Sequence, residues 1–100
     1  MYGLIVKLTA ADGRRDELIA LLAASTCDMP GCFSYVISRD AANADVLWVT
    51  EVWESQAAHD SSLTLRAVQA AIPQIKPLIA QLERIAVTEP VAGNGTSTLT

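Results

Sequence analysis

The 100-residue chain has one histidine (His59), two cysteines (Cys27 and Cys32), five aromatic residues and only seven lysines and arginines. Each shortage excludes a class of function. One histidine and two cysteines without a Cys-x-x-Cys spacing cannot assemble the four ligands of a metal site, so no metal is expected. Cys27 and Cys32 would close only a short loop. With no secretion signal the sequence reads them as ordinary thiols of a reducing compartment, Cys32 as a small core residue, with a redox role the lesser reading. The few basic residues leave a formal charge of −4, which argues against a nucleic-acid backbone or an anionic membrane surface as partner. Apolar runs fall far short of the ~20 residues a membrane helix needs. The start, Met1-Tyr2-Gly3-Leu4-Ile5-Val6-Lys7, lacks the basic segment and cleavage site of a signal peptide, so a cytoplasmic protein is expected. There is no glycine-rich phosphate loop, so nucleotide and flavin sites lack support and no cofactor is expected.

What remains is a chain that is 51% hydrophobic and 18% charged, which excludes disorder over most of its length and fits one small domain. Residues 2 to 9 alternate, with Tyr2, Leu4, Val6 and Leu8 on one face, the period of a strand. Asp12 offers an N-cap for a helix over 12 to 26, and Met29-Pro30-Gly31 stops it. Strands follow at 32 to 39 and 46 to 53, joined by the polar loop 40 to 45. Ser55 opens a short helix over 55 to 61. A longer one from Thr64 to Ile79 carries the stripe Leu65, Val68, Ile72, Ile75 and Ile79, with Pro73 and Pro77 expected to kink or break it. A last strand is expected over 83 to 89. From Pro90 to Thr100 the chain turns Gly, Asn, Ser and Thr-rich, a tail that is flexible or held by a partner.

The order β-α-β-β-α-β predicts an α+β, ferredoxin-like domain over residues 1 to 89, a four-stranded antiparallel sheet with helices on one face. The third strand places Val46, Trp48 and Val52 on one side and Leu47, Val49 and Trp53 on the other. With both faces apolar, a second copy packed sheet to sheet is the simplest remedy, and a homodimer is expected.

Pro30-Gly31-Cys32-Phe33-Ser34-Tyr35, followed by Glu51-Val52-Trp53-Glu54-Ser55-Gln56-Ala57-Ala58, resembles the antibiotic biosynthesis monooxygenase family of dimeric α/β-barrel proteins. The family pattern is a Gly-Cys-x-x-Tyr strand, an acidic loop, then Glu-x-Trp-x-Ser-x-x-Ala entering a helix. The likeness extends over about residues 2 to 89. It implies oxygenation of aromatic polyketides or quinols without a cofactor, although related branches degrade haem or isomerise small metabolites. Many members carry a histidine nine residues after the tryptophan. Here that position is Ser62, and His59 lies one helical turn earlier on nearly the same face. The asparagine that some members place on the strand before the tryptophan is also missing, the same-face residues being Val49 and Glu51. The haem branch is disfavoured because the helix over 64 to 79 has no histidine.

Candidate catalytic residues are therefore His59, Glu51 and Trp53, and candidate substrate-binding residues are Tyr35, Trp48, Ser62 and Arg66. Aromatics on strands usually pack, but Trp53 ends a strand beside a helix and shares a face with Glu51. Glu51 reads first as the salt-bridge partner of Arg39 or Lys7 and second as a buried acid of raised pKa. His59 is a candidate general base, since imidazole as a residue type titrates near neutral pH, yet a short helix more often leaves such a residue solvated. Ser61 and Ser62 read more readily as capping hydroxyls than as nucleophiles. Arg66 and Tyr35 are candidates to stabilise an anion. The expected function is monooxygenation of a small aromatic, quinol-type substrate with O₂. A dimeric metabolite-binding or regulatory protein and a small-carbonyl isomerase are the alternatives.

Overall fold

A computed structural model describes residues 1 to 96; the end of the expected tail, 97 to 100, lies outside them. The chain forms β1 (Tyr2–Ala10), α1 (Arg15–Ser25), β2 (Cys32–Arg39), β3 (Val46–Trp53), α2 (Gln56–Ser62), α3 (Arg66–Ile75), a 3-10 turn (Lys76–Leu78) and β4 (Ile79–Thr88). All three strand pairings are antiparallel, in the order β2-β3-β1-β4. This is the expected ferredoxin-like α+β arrangement. Among the described residues no helix is long and apolar enough to cross a membrane.

Four boundaries differ from expectation by more than one residue. Asp12 does not cap α1. Gly13, at φ +72°, takes the chain through a left-handed turn that a continuing helix cannot follow, and the helix starts at Arg15. Thr64 does not cap α3 either: its hydroxyl donates to the Ser61 carbonyl, and Leu65 stands at the helix start. The expected helix to Ile79 ends at Ile75, because Pro77 follows in a 3-10 turn and the backbone is extended by Ile79. Pro73, in contrast, is accommodated inside α3. β4 consequently begins four residues earlier than the sequence suggests.

The register places Tyr2, Leu4, Val6 and Leu8 opposite Trp53, Glu51, Val49 and Leu47, and directly paired residues share a face. Tyr35 and Ile37 of β2 join that face beside Glu51 and Val49. One end of it is filled: Leu8 and Leu47 pack with Leu18 and Leu22 of α1 and Leu78 of the 3-10 turn. At the other end, under α2 and α3, a cavity remains.

The opposite face carries Ile5, Val36, Trp48 and Val52. Trp48 is half-buried there, its indole N–H donating to Asp40 at 2.8 Å with Lys7 Nζ 5.9 Å from the ring centroid. Thr88, Gly3, Val52 and Ser34 form one row across this face. The start of the tail follows that row. A Cβ on Gly3 would press on Thr88 and lie 3.0 Å from Pro90, and Gly95 lies against Ser34.

Candidate active site

The cavity has a volume of about 330 Å³, at the small end of ligand pockets. Its floor is the inner sheet face; its roof is α2 together with Val68, Ile72 and Ile75 of α3, the stripe seen in the sequence. Of the residues singled out beforehand, Glu51, Trp53, His59, Tyr35 and Ser62 all line it. Trp48 and Arg66 do not. Trp48 points to the other sheet face because it lies five residues, an odd number, from Trp53 on the same strand, and Arg66 is exposed at the start of α3.

Glu51 and Trp53 lie two apart on β3 and therefore on one face. Trp53 is 1% and Glu51 8% exposed, and the Trp53 indole N–H donates to Glu51 Oε1 at 2.8 Å. The expected ion pair of Glu51 does not form: Lys7 pairs with Glu83 and Arg39 with Asp16. Burial pushes the Glu51 carboxyl above its ordinary pKa; the Trp53 hydrogen bond and the positive potential of His59 and Arg84 oppose that push without overcoming it. Tyr35, cross-strand neighbour of Glu51, has its phenol pushed well above the usual value by burial, then by the charges of Glu51 and Cys32. It is a proton donor at neutral pH. Cys32 is likewise raised, first by burial and then by Glu51. Both cysteines are free thiols.

His59 is held by aromatic packing. Its ring meets Trp53 edge-on, centroids 5.4 Å apart and planes at 82°, and Tyr2 at 5.5 Å. Its side chain is 12% exposed, so it is not the solvated residue a short helix suggested. Nδ1 lies 3.1 Å from the Asp60 carboxylate, which favours the tautomer with the proton on Nδ1 and leaves Nε2 basic. Ser62 is buried, but its hydroxyl donates to the His59 carbonyl at 2.5 Å and serves the helix end. The approach of α2 depends on two local features. The Ser55 hydroxyl accepts the Ala58 N–H at 3.1 Å, the capping bond expected there. Gly31, at φ +78°, lets α2 come so near that a Cβ would stand 2.8 Å from that of Ala58.

One charged residue of the cavity was missed. Arg84 of β4 lies opposite Val6 and lines the wall.

The antibiotic biosynthesis monooxygenase family model matches residues 1 to 74. The chain belongs to this family. A candidate antibiotic biosynthesis monooxygenase from Chloroflexus aurantiacus J-10-fl has 48% identity over 96% of this chain and 98% of its own, with a TM-score of 0.91. Another from Deinococcus radiodurans is 26% identical over 93% and 95%, with a TM-score of 0.76. Rv0793 from Mycobacterium tuberculosis, 23% identical over 92% and 96% with a TM-score of 0.75, shares the fold. No curated protein matches the chain.

Proposed function

We propose that this antibiotic biosynthesis monooxygenase family member oxidises a small quinol or polyphenol with O₂, the substrate itself supplying the electrons. Oxidation by O₂ is slow until the ring becomes an electron-rich anion, so the protein has to remove a proton in a dry, aromatic-walled space and stabilise the negative charge. The observation that carries this reading is the buried Glu51 carboxylate bound to the Trp53 indole at 2.8 Å, with His59 packed edge-on against the same tryptophan. Glu51 or Nε2 of His59 takes the phenolic proton. Tyr35, held protonated, donates a hydrogen bond to the oxyanion. The ring anion passes an electron to O₂, the pair combine at a ring carbon, and loss of water leaves a carbonyl. One oxygen atom thus enters the substrate while the other departs as water with the displaced hydrogens.

The working unit in this reading is a homodimer. The outer sheet face that carries Ile5, Val52 and the 49%-exposed Val36 supports sheet-to-sheet pairing, and sedimentation at micromolar concentration should give twice the chain mass. The function is tested by O₂ uptake with a panel of hydroquinones and anthrones. Uptake with matching loss of substrate is expected, reduced at least tenfold in Glu51→Gln. A second reading, binding without turnover, has Ser62 in its favour, because a hydroxyl engaged with the His59 carbonyl replaces the usual family histidine. Tight binding of the same compounds with no uptake would select that reading and reject the first.

A further inference from the structure

Arg84 is a cation of β4 that lines an apolar cavity, exposed to solvent and without a hydrogen-bond or ion-pair partner among the described residues. Among the described residues, Lys7, Arg14 and Arg39 each pair with a carboxylate, and Arg15 donates to the Asn43 and Val46 carbonyls. Arg66 and Lys76 are exposed and away from the cavity. Arg84 alone among the lysines and arginines lines it; its charge acts on Glu51, but none of its nitrogens makes a hydrogen bond or ion pair among the described residues. A guanidinium keeps its charge at any working pH and presents a planar fork matched to a carboxylate.

The sheet fixes where that fork stands. Arg84 pairs with Val6 on one side of β1, and Glu51 pairs with Leu4 on the other. Two strand spacings across and two residues along put their backbones about 12 Å apart. Both residues share that face and line the cavity, whose volume of about 330 Å³ suits a single aromatic ring. The two ends differ in charge: Glu51 repels an anion, and Arg84 attracts one. A ring with a hydroxyl at one end and an anionic group at the other therefore has one favoured orientation, hydroxyl toward Glu51.

We propose that Arg84 selects aromatic acids, binding the carboxylate of a phenolic ring whose hydroxyl faces Glu51. This deepens the reading of the same site as one that oxidises a quinol-type compound, and it rests on that reading for the chemistry but not for the binding. Arg84 is a specificity residue here, separate from the groups that move the proton.

The test is isothermal titration of the full chain with 4-hydroxybenzoate and with its methyl ester, neither of which has to react. The acid should bind at least about tenfold more tightly than the ester. In Arg84→Gln the two affinities should converge through weakening of the acid alone, and Arg84→Lys should keep part of the preference. Equal affinity for acid and ester in the wild-type chain, including no binding of either, overturns the proposal. So does a preference that survives Arg84→Gln. The two readings fail separately: acid-selective binding without O₂ uptake by any hydroquinone rejects the oxygenase and leaves Arg84 in place, whereas uptake with an equal preference for neutral and carboxylated hydroquinones does the reverse.

Discussion

Two tryptophans of β3 each donate the indole N–H to a carboxylate at 2.8 Å, Trp53 to Glu51 and Trp48 to Asp40, and the two acids respond in opposite directions. Asp40 stands at the solvent end of the outer face, where it also accepts the backbone N–H groups of Ala42 and Asn43. Those bonds, the Trp48 bond foremost, draw its pKa down to about 2. Glu51 has the same indole bond, but α2 and α3 cover it, and burial raises its pKa. A hydrogen bond favours the charged form by a modest amount, while loss of water disfavours it by more when the group is enclosed. The difference separates a structural clamp on the β2–β3 hairpin from a carboxyl group suited to taking a proton.

Removing the rings should break the comparison most strongly. Trp53→Ala empties a fully buried position and is expected to cost about 3–5 kcal/mol in chemical denaturation; Trp48→Ala, half-buried, should cost clearly less. Trp53→Phe keeps most of the packing but leaves Glu51 Oε1 without its donor, an expected loss of about 1–3 kcal/mol. Next in size is the roof. Gly31→Ala forces a β-carbon into a left-handed backbone and against Ala58, and should cost about 1–3 kcal/mol. It should also lift α2, letting water reach Glu51 and bringing that carboxyl back toward ordinary behaviour. The diagnostic readout is quenching of Trp53 emission by acrylamide, which should rise in Gly31→Ala while that of Trp48 is unchanged, each read in a background lacking the other tryptophan.

How much of this was visible beforehand depended on parity along the strands. The i, i+2 spacing of Glu51 and Trp53 on a clear strand put them on one face without any tertiary information. The Leu4, Val6, Leu8 alternation gave β1, and the Ser55 cap gave α2. The same parity separates Trp48 from Trp53, yet which face receives the helices is decided by packing, so Trp48 entered the candidate list on its chemistry alone. Arg84 was hidden for a different reason. β4 slips register against β1 between Thr9 and Ala10 and again between Ile5 and Val6, and each bulge reverses the in–out order. Simple alternation along residues 79 to 88 cannot tell which face Arg84 takes. The choice for Glu51 between ion pair and buried acid was equally closed to sequence reading, because the cations nearest to it in the reckoning, Lys7 and Arg39, find partners on β4 and α1.

The pH dependence of stability sharpens the comparison with smaller effects. A carboxyl whose folded pKa is raised binds its proton more tightly in the native state, so its contribution is present below the ordinary carboxylate range and is lost as pH rises through the folded value. Glu51 should therefore make the wild-type chain less stable as pH climbs above that range, and Glu51→Gln should flatten the profile on that side. Asp40 has the opposite sign. Its contribution is present above the ordinary range and is lost as pH falls toward about 2. Asp40→Asn should flatten only the acid limb. Since Asp40 is open to solvent, its effect is expected to be the smallest of the series and to shrink further in high salt.

The most direct check is a carboxyl ¹³C NMR titration of Glu51 and Asp40 in one labelled sample, with Glu51→Gln and Asp40→Asn to assign the signals. A Glu51 midpoint above that of free glutamate, beside an Asp40 midpoint near 2, is the result expected of a dry carboxyl poised in a cavity. A Glu51 midpoint at or below the free-glutamate value would mean that water reaches it freely, and would contradict its place as the base of the site.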